Sequence, residues 1–222
     1  MLKHITAAAL ATCAVLAFGS MTSAKSQQAE SASGRQPKVL ATAGRYRSEI
    51  THTSVGFRIL HMGLANYTAR FTKMDATLDF DPARPERSRL TATVDMGSVE
   101  TDYQNKDKDW NGELRNDPKF FNSGMFPQAK FVSTSVRRTG RNTAAVEGNL
   151  TFLGVTRPLT LDATYNGSLG AHPFAKVPAL GFSARGKMKR SAWGLSYGLG
   201  KDLVDDVELV IEAEFLREGD SR

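Results

Sequence analysis

The chain has 222 residues, with 29 lysines and arginines against 23 aspartates and glutamates, for a formal net charge of +6. Hydrophobic residues make up 41% and aromatic residues 9%, which is enough to build one packed domain and too much for a wholly disordered chain. A single cysteine excludes an intrachain disulfide framework, and the positive surplus is too diffuse to mark a nucleic-acid binder, although it suits an anionic surface.

The N-terminal stretch MLKHITAAALATCAVLAFGSMTSAKSQQ carries one lysine before an apolar run from Ile5 to Phe18, then small residues up to Ala24. That is the three-part layout of a secretory signal peptide, and the run is shorter than the ~20 residues a membrane span needs. Cleavage after Ala24 is expected, which makes residues 1–24 a signal peptide and the protein an exported, periplasmic one. Lipoprotein processing at Cys13 is the rival; the apolar run continues past that cysteine, and Thr12 is a poor residue before a modified one. Removing residues 1–24 also removes the cysteine and with it any thiol chemistry. Residues 25–44, KSQQAESASGRQPKVLATAG, are polar and small and read as a disordered leader. One domain then spans 45–218, with 219–222 as a tail.

From Tyr46 the apolar period becomes two. Val55, Phe57 and Ile59 alternate with Ser54, Gly56 and Arg58. Met74, Ala76, Leu78 and Phe80 alternate with Asp75, Thr77 and Asp79, and Leu90, Ala92, Val94 and Met96 with Thr91, Thr93 and Asp95. Each reads as a strand with one dry face. Similar alternations cover Ala129 to Val136, Ala144 to Phe152, Leu159 to Tyr165, Leu180 to Met188 and Val207 to Phe215. Counting Tyr67 to Phe80 as one strand bent where the period slips between Phe71 and Met74, this makes about eight antiparallel strands joined by turns such as Asn166-Gly167. An all-β barrel is the better reading than a sandwich, because bulges bend strands where a barrel must close.

One segment breaks the pattern. Asp102 to Asn122 is charged, places Trp110 and Leu114 at helical spacing, and ends with Pro118 before Phe120-Phe121. It reads as a short helical insertion, either a plug over an opening or a plain long connection.

Candidate chemistry is sparse. His52 and His61 are nine residues apart, so a strand sends them to opposite faces about 30 Å apart. Neither has a carboxylate or second histidine at ligand spacing, and His172 before Pro173 reads as a loop residue, so no metal is expected. No nucleophile elbow, P-loop or dinucleotide fingerprint occurs, and no cofactor is expected. Asp102, Asp107, Asp109 and Glu113 sit among Lys106, Lys108 and Arg115, which leaves an exported hydrolase or isomerase using the 102–117 segment as a second reading. Lys187, Lys189 and Arg190, like Arg137, Arg138 and Arg141, read as solvated faces. The remaining resource is apolar surface inside a curved sheet. Small residues there, Ala69, Ala76, Ala92 and Ala184, leave room for a ligand; a solid-core barrel that binds a partner is the third reading.

Together, HTSVGFRILHMG, ARFTKMDATLDFDP, DMGSVETDYQNKDKDWNGELRNDPKFFNSGMFPQAKFVSTSV, VEGNLTFLGVTRPLTLDATYNG, KRSAWGLSYGLG and DDVELVIEAEF resemble the YceI-like family of bacterial exported proteins, over nearly all of Tyr46 to Phe215. The resemblance implies an eight-stranded antiparallel, lipocalin-like barrel with a helical segment over part of it. It also implies a lumen holding an isoprenoid or other long-chain lipid such as a polyprenyl phosphate or quinone, carried without being transformed. Transient contact with a membrane surface follows, no nucleic acid is expected, and homodimerisation stays open. The expected lumen residues are Val55, Phe57, Ile59 and His61, then Phe71, Met74, Leu78 and Phe80 on the bent strand, and Val94 and Met96. Phe131, Leu150, Phe152 and Phe182 follow on later strands, with Phe120 and Phe121 from the insertion and Trp193 from a loop. His61 is either a head-group contact at the mouth or a buried histidine bonded to backbone; Arg58 faces out. Relatives often carry Asp-Phe-Gly where this chain has Ala192-Trp193-Gly194, so that loop has lost an acid and gained a larger aromatic.

Overall fold

The computed structural model describes residues 42–219. The expected signal peptide, nearly all of the leader and residues 220–222 lie outside the described residues. Eleven strands and one helix follow in chain order. They are β1 (Gly44–Ser48), β2 (Ser54–His61), β3 (Ala65–Phe71), β4 (Met74–Phe80), β5 (Arg89–Asp95), β6 (Val99–Thr101), α1 (Trp110–Asn116), β7 (Gln128–Arg138), β8 (Thr143–Phe152), β9 (Val155–Leu169), β10 (Ala179–Lys189) and β11 (Leu203–Arg217). The first strand opens one residue inside the expected leader. No helix among the described residues is long and apolar enough to cross a membrane.

The strands make a closed eight-stranded antiparallel barrel. Its ring runs β1-β4-β5-β7-β8-β9-β10-β11 and closes where β1 also pairs with β11, Tyr46 opposite Arg217 and Ser48 opposite Phe215. The other three strands prolong ring members. β2 continues β1 along the same partner, Ser54 facing Glu212; β3 precedes β4 and pairs with β2; β6 follows β5 and pairs with β3. The bent strand of the alternation pattern is thus two aligned segments with a break at Thr72-Lys73.

Serine hydroxyls repair the ladder where the strands break or bulge. Ser48 Oγ accepts from Ala76 N at 2.8 Å, Ser98 Oγ from Lys73 N at 3.1 Å, and Ser133 Oγ, beside the β7–β8 bulge, from Leu90 N at 2.8 Å. Ser48, Ser98 and Ser133 are each 7% exposed, and Ala76 is 2% exposed, so water does not reach its amide in place of Ser48; an orphaned buried amide costs about 1–3 kcal/mol.

Two apolar clusters divide the interior by height. At the end that carries the chain's entry and the β9–β10 connection, here called the lower end, Tyr46, Ala76, Leu78, Leu180, Ala213 and Phe215 form one cluster, with Phe80, Tyr165 and Phe182 packed on it. Its rings meet edge to face, Phe80 to Phe182 at 6.1 Å and Phe182 to Phe215 at 6.0 Å, and fill the cross-section. The upper cluster surrounds Phe71, Phe121, Phe131, Phe152 and Val207.

Tight packing also shows at Gly148 on β8, where a Cβ would lie 2.4 Å from Phe131 Cζ and 2.5 Å from the Val132 carbonyl oxygen. The ring can move and the carbonyl cannot. Gly148→Ala is therefore expected to destabilise the barrel by about 1–3 kcal/mol through overpacking. Urea unfolding measures it, and an unchanged midpoint would mean that the β7–β8 pair yields instead.

Candidate functional site

Above the lower cluster the barrel holds a cavity of about 650 Å3, within the range of small-molecule sites. Its wall is the inner face of alternating strands: Val55, Phe57 and Ile59 on β2, Tyr67 and Phe71 on β3, Val94 on β5, Leu150 and Phe152 on β8, and Val207 and Leu209 on β11. The period of two puts His61 on this same face, at the rim, where it is exposed. The buried, backbone-bonded histidine is thereby excluded. Arg58 points the other way and lies 3.9 Å from Glu208.

The insertion closes the cavity from the side, against β6 and β3. Asp109 caps α1 by accepting from Gly112 N at 2.8 Å. Asn111 Oδ1 accepts from Thr101 N at 3.0 Å and from Thr101 Oγ1 at 2.7 Å, which ties the helix to the edge of β6. Trp110 Nε1 donates to Tyr67 Oη at 3.0 Å. Phe120 and Phe121, 8% and 7% exposed, then enter the cavity wall. Phe121 stacks 5.3 Å from Phe71, and Phe120 lies 4.9 Å from Tyr197 in the β10–β11 connection. The segment is a plug, not a plain connection.

Several expected lumen residues sit elsewhere. Leu78, Phe80 and Phe182 belong to the solid lower cluster, and Met74 packs against both clusters without reaching the cavity surface. Alternation determines the face of a strand that points inward but says nothing of its height in the barrel. Phe131 faces inward but is buried in the upper cluster over Gly148 and does not border the cavity, and Trp193, 4% exposed, donates Nε1 to the Leu150 carbonyl at 3.2 Å. The space is not made by Ala76 and Ala92, which pack in the lower cluster; Ala65 and Ala129 border it instead. The β11 wall residues were visible as an alternation. Leu195, Tyr197 and Asp202 at the mouth lie in a connection without any periodic signal.

The carboxylate-rich segment does not assemble a site. Glu113 pairs with Lys108 at 2.7 Å, Asp109 is spent on its cap, and Asp102 and Asp107 are exposed. Among the described residues, none of these four borders the cavity.

Arg190 is the larger surprise. It is 3% exposed and borders the cavity, whereas its neighbours Lys187 and Lys189 are exposed. The alternation that turns Lys187 and Lys189 outward and Met188 inward puts Arg190 on the inner face, where the strand ends and the 3-10 turn of Arg190–Trp193 begins. Arg190 Nε donates to the Val204 carbonyl at 2.9 Å, and Nη1 to those of Leu195 at 3.0 Å and Tyr197 at 2.8 Å. Burial pushes its pKa down and Asp205 opposes that shift.

The YceI-like domain family matches residues 46–215 of this chain, which is the whole barrel from β1 to β11. The chain belongs to the YceI family. Protein YceI of Salmonella arizonae is 37% identical to it over 176 residues, 78% of this chain and 87% of that protein. The Campylobacter jejuni YCEI protein superposes with a TM-score of 0.59 at 28% identity, covering 72% of this chain and 90% of that one. Burkholderia cenocepacia BcnA shares the fold with a TM-score of 0.63 at 24% identity, over 75% of this chain and 98% of that one. So does a polyisoprenoid binding domain from Saccharophagus degradans, with a TM-score of 0.56 at 12% identity, over 80% of this chain and 100% of that one.

In this YceI chain the Arg190–Trp193 turn meets a carboxylate from the following strand. Asp205 on β11 accepts from Ser191 N at 2.9 Å and from Ser191 Oγ at 2.7 Å, and Gly194 closes the turn at a φ of +85°.

One cluster of donor atoms lies outside the cavity. Glu49, His52 and Glu214 bring a ligand atom each within 4.8 Å of one another, which corrects the expectation that His52 has no carboxylate in reach. Strand pairing supplies Glu214, and Glu49 stands three residues before the histidine. Hydrogen bonds within the turn account for the cluster. Glu49 accepts from Thr51 Oγ1 at 2.6 Å, Thr51 N at 3.1 Å and His52 N at 2.9 Å, and His52 Nδ1 lies 2.6 Å away. The Thr51 hydroxyl leads in holding the Glu49 pKa at about 2, well below its ordinary 4.5. A depressed carboxylate adds stability above pH 4.5 that is lost as pH falls towards 2. Glu49→Gln is expected to destabilise the fold at pH 7, with the difference from wild type closing across that acid range. Thermal unfolding at stepped pH checks this, and a gap that does not change with pH would show that the carboxylate's charge is not what the turn uses.

Proposed function

We propose that this YceI-family chain binds a long-chain, isoprenoid-type lipid in its upper cavity and carries it in the periplasm without transforming it. The observation that carries the reading is the cavity itself: walls of Val, Ile, Leu, Met and Phe, with polar groups gathered at one mouth around His61, Asn66 and Asp202. An apolar chain with a polar end fits that distribution, because burying the chain removes it from water while the head stays at the rim. The Saccharophagus degradans neighbour, a polyisoprenoid binding domain, points the same way. Export rests on the signal-peptide layout of residues 1–24.

Of the other readings, the hydrolase or isomerase loses its carboxylates to capping and surface pairing, and the solid-core barrel describes only the lower half. The mouth also suits contact with a bilayer. Leu64 is 83% exposed, Met62 55%, Tyr197 50% and Leu199 39%, so apolar side chains ring the opening through which a lipid must pass.

The reading is tested by mass spectrometry of an organic extract of protein purified from its native host. A stoichiometric long-chain lipid is expected, and an empty extract from folded protein overturns it. Val94→Trp projects into the cavity and is expected to reduce retained lipid at least several-fold with the β spectrum intact. Leu78→Trp, in the lower cluster, is expected to lower the melting temperature and leave lipid content per folded molecule unchanged. Equal lipid loss in both would place the binding space lower in the barrel.

At the mouth, Leu64→Asp is expected to slow lipid capture from vesicles while leaving the equilibrium amount bound nearly the same. A stopped-flow transfer assay reads the rate, and an unchanged rate excludes the rim as the point of membrane contact.

A further inference from the structure

Arg190 is a buried cation with unused donors beside the cavity. A guanidinium has five N–H groups. Nε uses one on the Val204 carbonyl, and Nη1 uses two on Leu195 and Tyr197. Nη2 carries the remaining two and has no partner; the atom itself is sealed, while the residue borders the cavity, so a small shift of the guanidinium is what brings Nη2 to an acceptor there. Its three acceptors are neutral carbonyls, and among the described ion pairs none includes Arg190. Asp205 is close enough to act on it electrostatically, but that carboxylate's oxygens are taken by Ser191 N and Oγ. The charge is therefore balanced at a distance and not by contact.

We propose that Arg190 Nη2 anchors the head group of the cavity's occupant and that, resting on the lipid-binding reading above, it selects a lipid with an oxyanion head, such as a phosphate monoester, over a neutral alcohol or quinone. A buried polar group with two idle N–H donors is costly, and any oxygen acceptor relieves part of that. Only an oxyanion also supplies the missing counter-charge, and a planar fork is the arginine geometry that favours phosphate and carboxylate oxygens. Position agrees with this. Arg190 follows the last residue of β10, and its carbonyl partners are Leu195 and Tyr197 in the connection that forms the mouth and Val204 at the start of β11, near Asp202 and, on β2, His61. The chain of such a lipid would then run down the apolar wall towards the lower cluster. Asp202 is the one carboxylate on the cavity border; it is exposed, so solvent screens it, whereas the anchor is buried.

The same observation explains why the sequence pattern hid the group. Lys187-x-Lys189-Arg190 looks like a solvated cluster, and Lys189 does pair on the surface with Asp206 at 2.9 Å. Arg190 does not share that face: it stands two residues after Met188, which borders the cavity, and the run of basic residues masks the alternation.

The test uses the mature protein, stripped of lipid, with three probes: a polyprenyl monophosphate, the polyprenol of the same chain length, and inorganic phosphate. The monophosphate is expected to bind at least ten-fold more tightly than the alcohol, and inorganic phosphate neither to bind measurably at the same concentrations nor to displace it. Arg190→Gln is expected to bring the two lipids to within about two-fold of each other, and a preference for the monophosphate that survives in a folded variant overturns the anchor. Arg190 also pins the mouth, so if that variant fails to fold, the wild-type head-group comparison decides alone. Equal binding of both lipids by wild type overturns the anchor and leaves the lipid reading standing. Binding of inorganic phosphate as tight as that of the lipid phosphate overturns it in favour of a free-anion site, and failure of both lipids to bind overturns the lipid reading together with the anchor.

Discussion

Closure of the ring through β1 is the constraint on which everything else depends. That strand has five residues and must hydrogen-bond β4 on one side and β11 on the other. An eight-stranded sheet closes only if its strands tilt and bend, and here the bend falls on three neighbouring chain segments at one level: after Ser48, at Thr72-Lys73, and at Met96–Ser98. Each break exposes backbone donors, and each is mended locally. Glu49 takes the amides of Thr51 and His52, Ser48 takes that of Ala76, and Ser98 takes Lys73 through its hydroxyl and Thr72 through its carbonyl. The Glu49–His52–Glu214 cluster belongs to this repair.

The bend produces the cavity. Below it the ring is closed strand to strand, and Tyr46, Phe80, Phe182 and Phe215 fill the cross-section. Above it β6 pairs with β3 alone, and β7 begins no higher than the level of Asp95. A free strand edge beside an opened barrel needs cover, and α1 with Phe120-Phe121 provides it from the side. Cover of that kind differs from a strand. It is held by Asn111 on Thr101, by Trp110 on Tyr67 and by ring contacts rather than by a backbone ladder, so the upper half encloses space that the lower half fills.

The mouth is organised by one side chain. The connection from Arg190 to Leu203 opens with a 3-10 turn and is held by short-range backbone bonds, among them those of Leu199 to Ser196 and of Asp202 and Leu203 to Gly198. Three of its carbonyls, or of the strand start that follows, converge on Arg190, and Tyr197 reaches across to Phe120 on the plug. Plug and mouth loop are thus coupled through a ring contact at the same place where the apolar rim opens. A head group bound at Arg190 would sit at that junction, which connects ligand occupancy to the fastening of the plug.

The barrel was legible in the sequence because a period of two is a local property: each pair of neighbouring residues shows which face is dry, and β2, β5, β8, β10 and β11 obey it. The same locality explains what was not legible. Val94 and Leu78 have the same alternating environment along the chain, yet one borders the cavity and the other is packed solid, because height relative to the bend depends on register with strands far away in sequence. Glu214 reaches His52 only through pairing across 162 residues. Arg190 looks like its lysine neighbours in a run of basic residues; the alternation through Met188 turns it inward, and only the folded mouth connection buries it. The sequence by itself determined the fold class, the inward faces and the family; the tertiary structure alone decided where the barrel is full, where it is empty and which charge lies inside, since those depend on how distant segments are stacked around a closed ring.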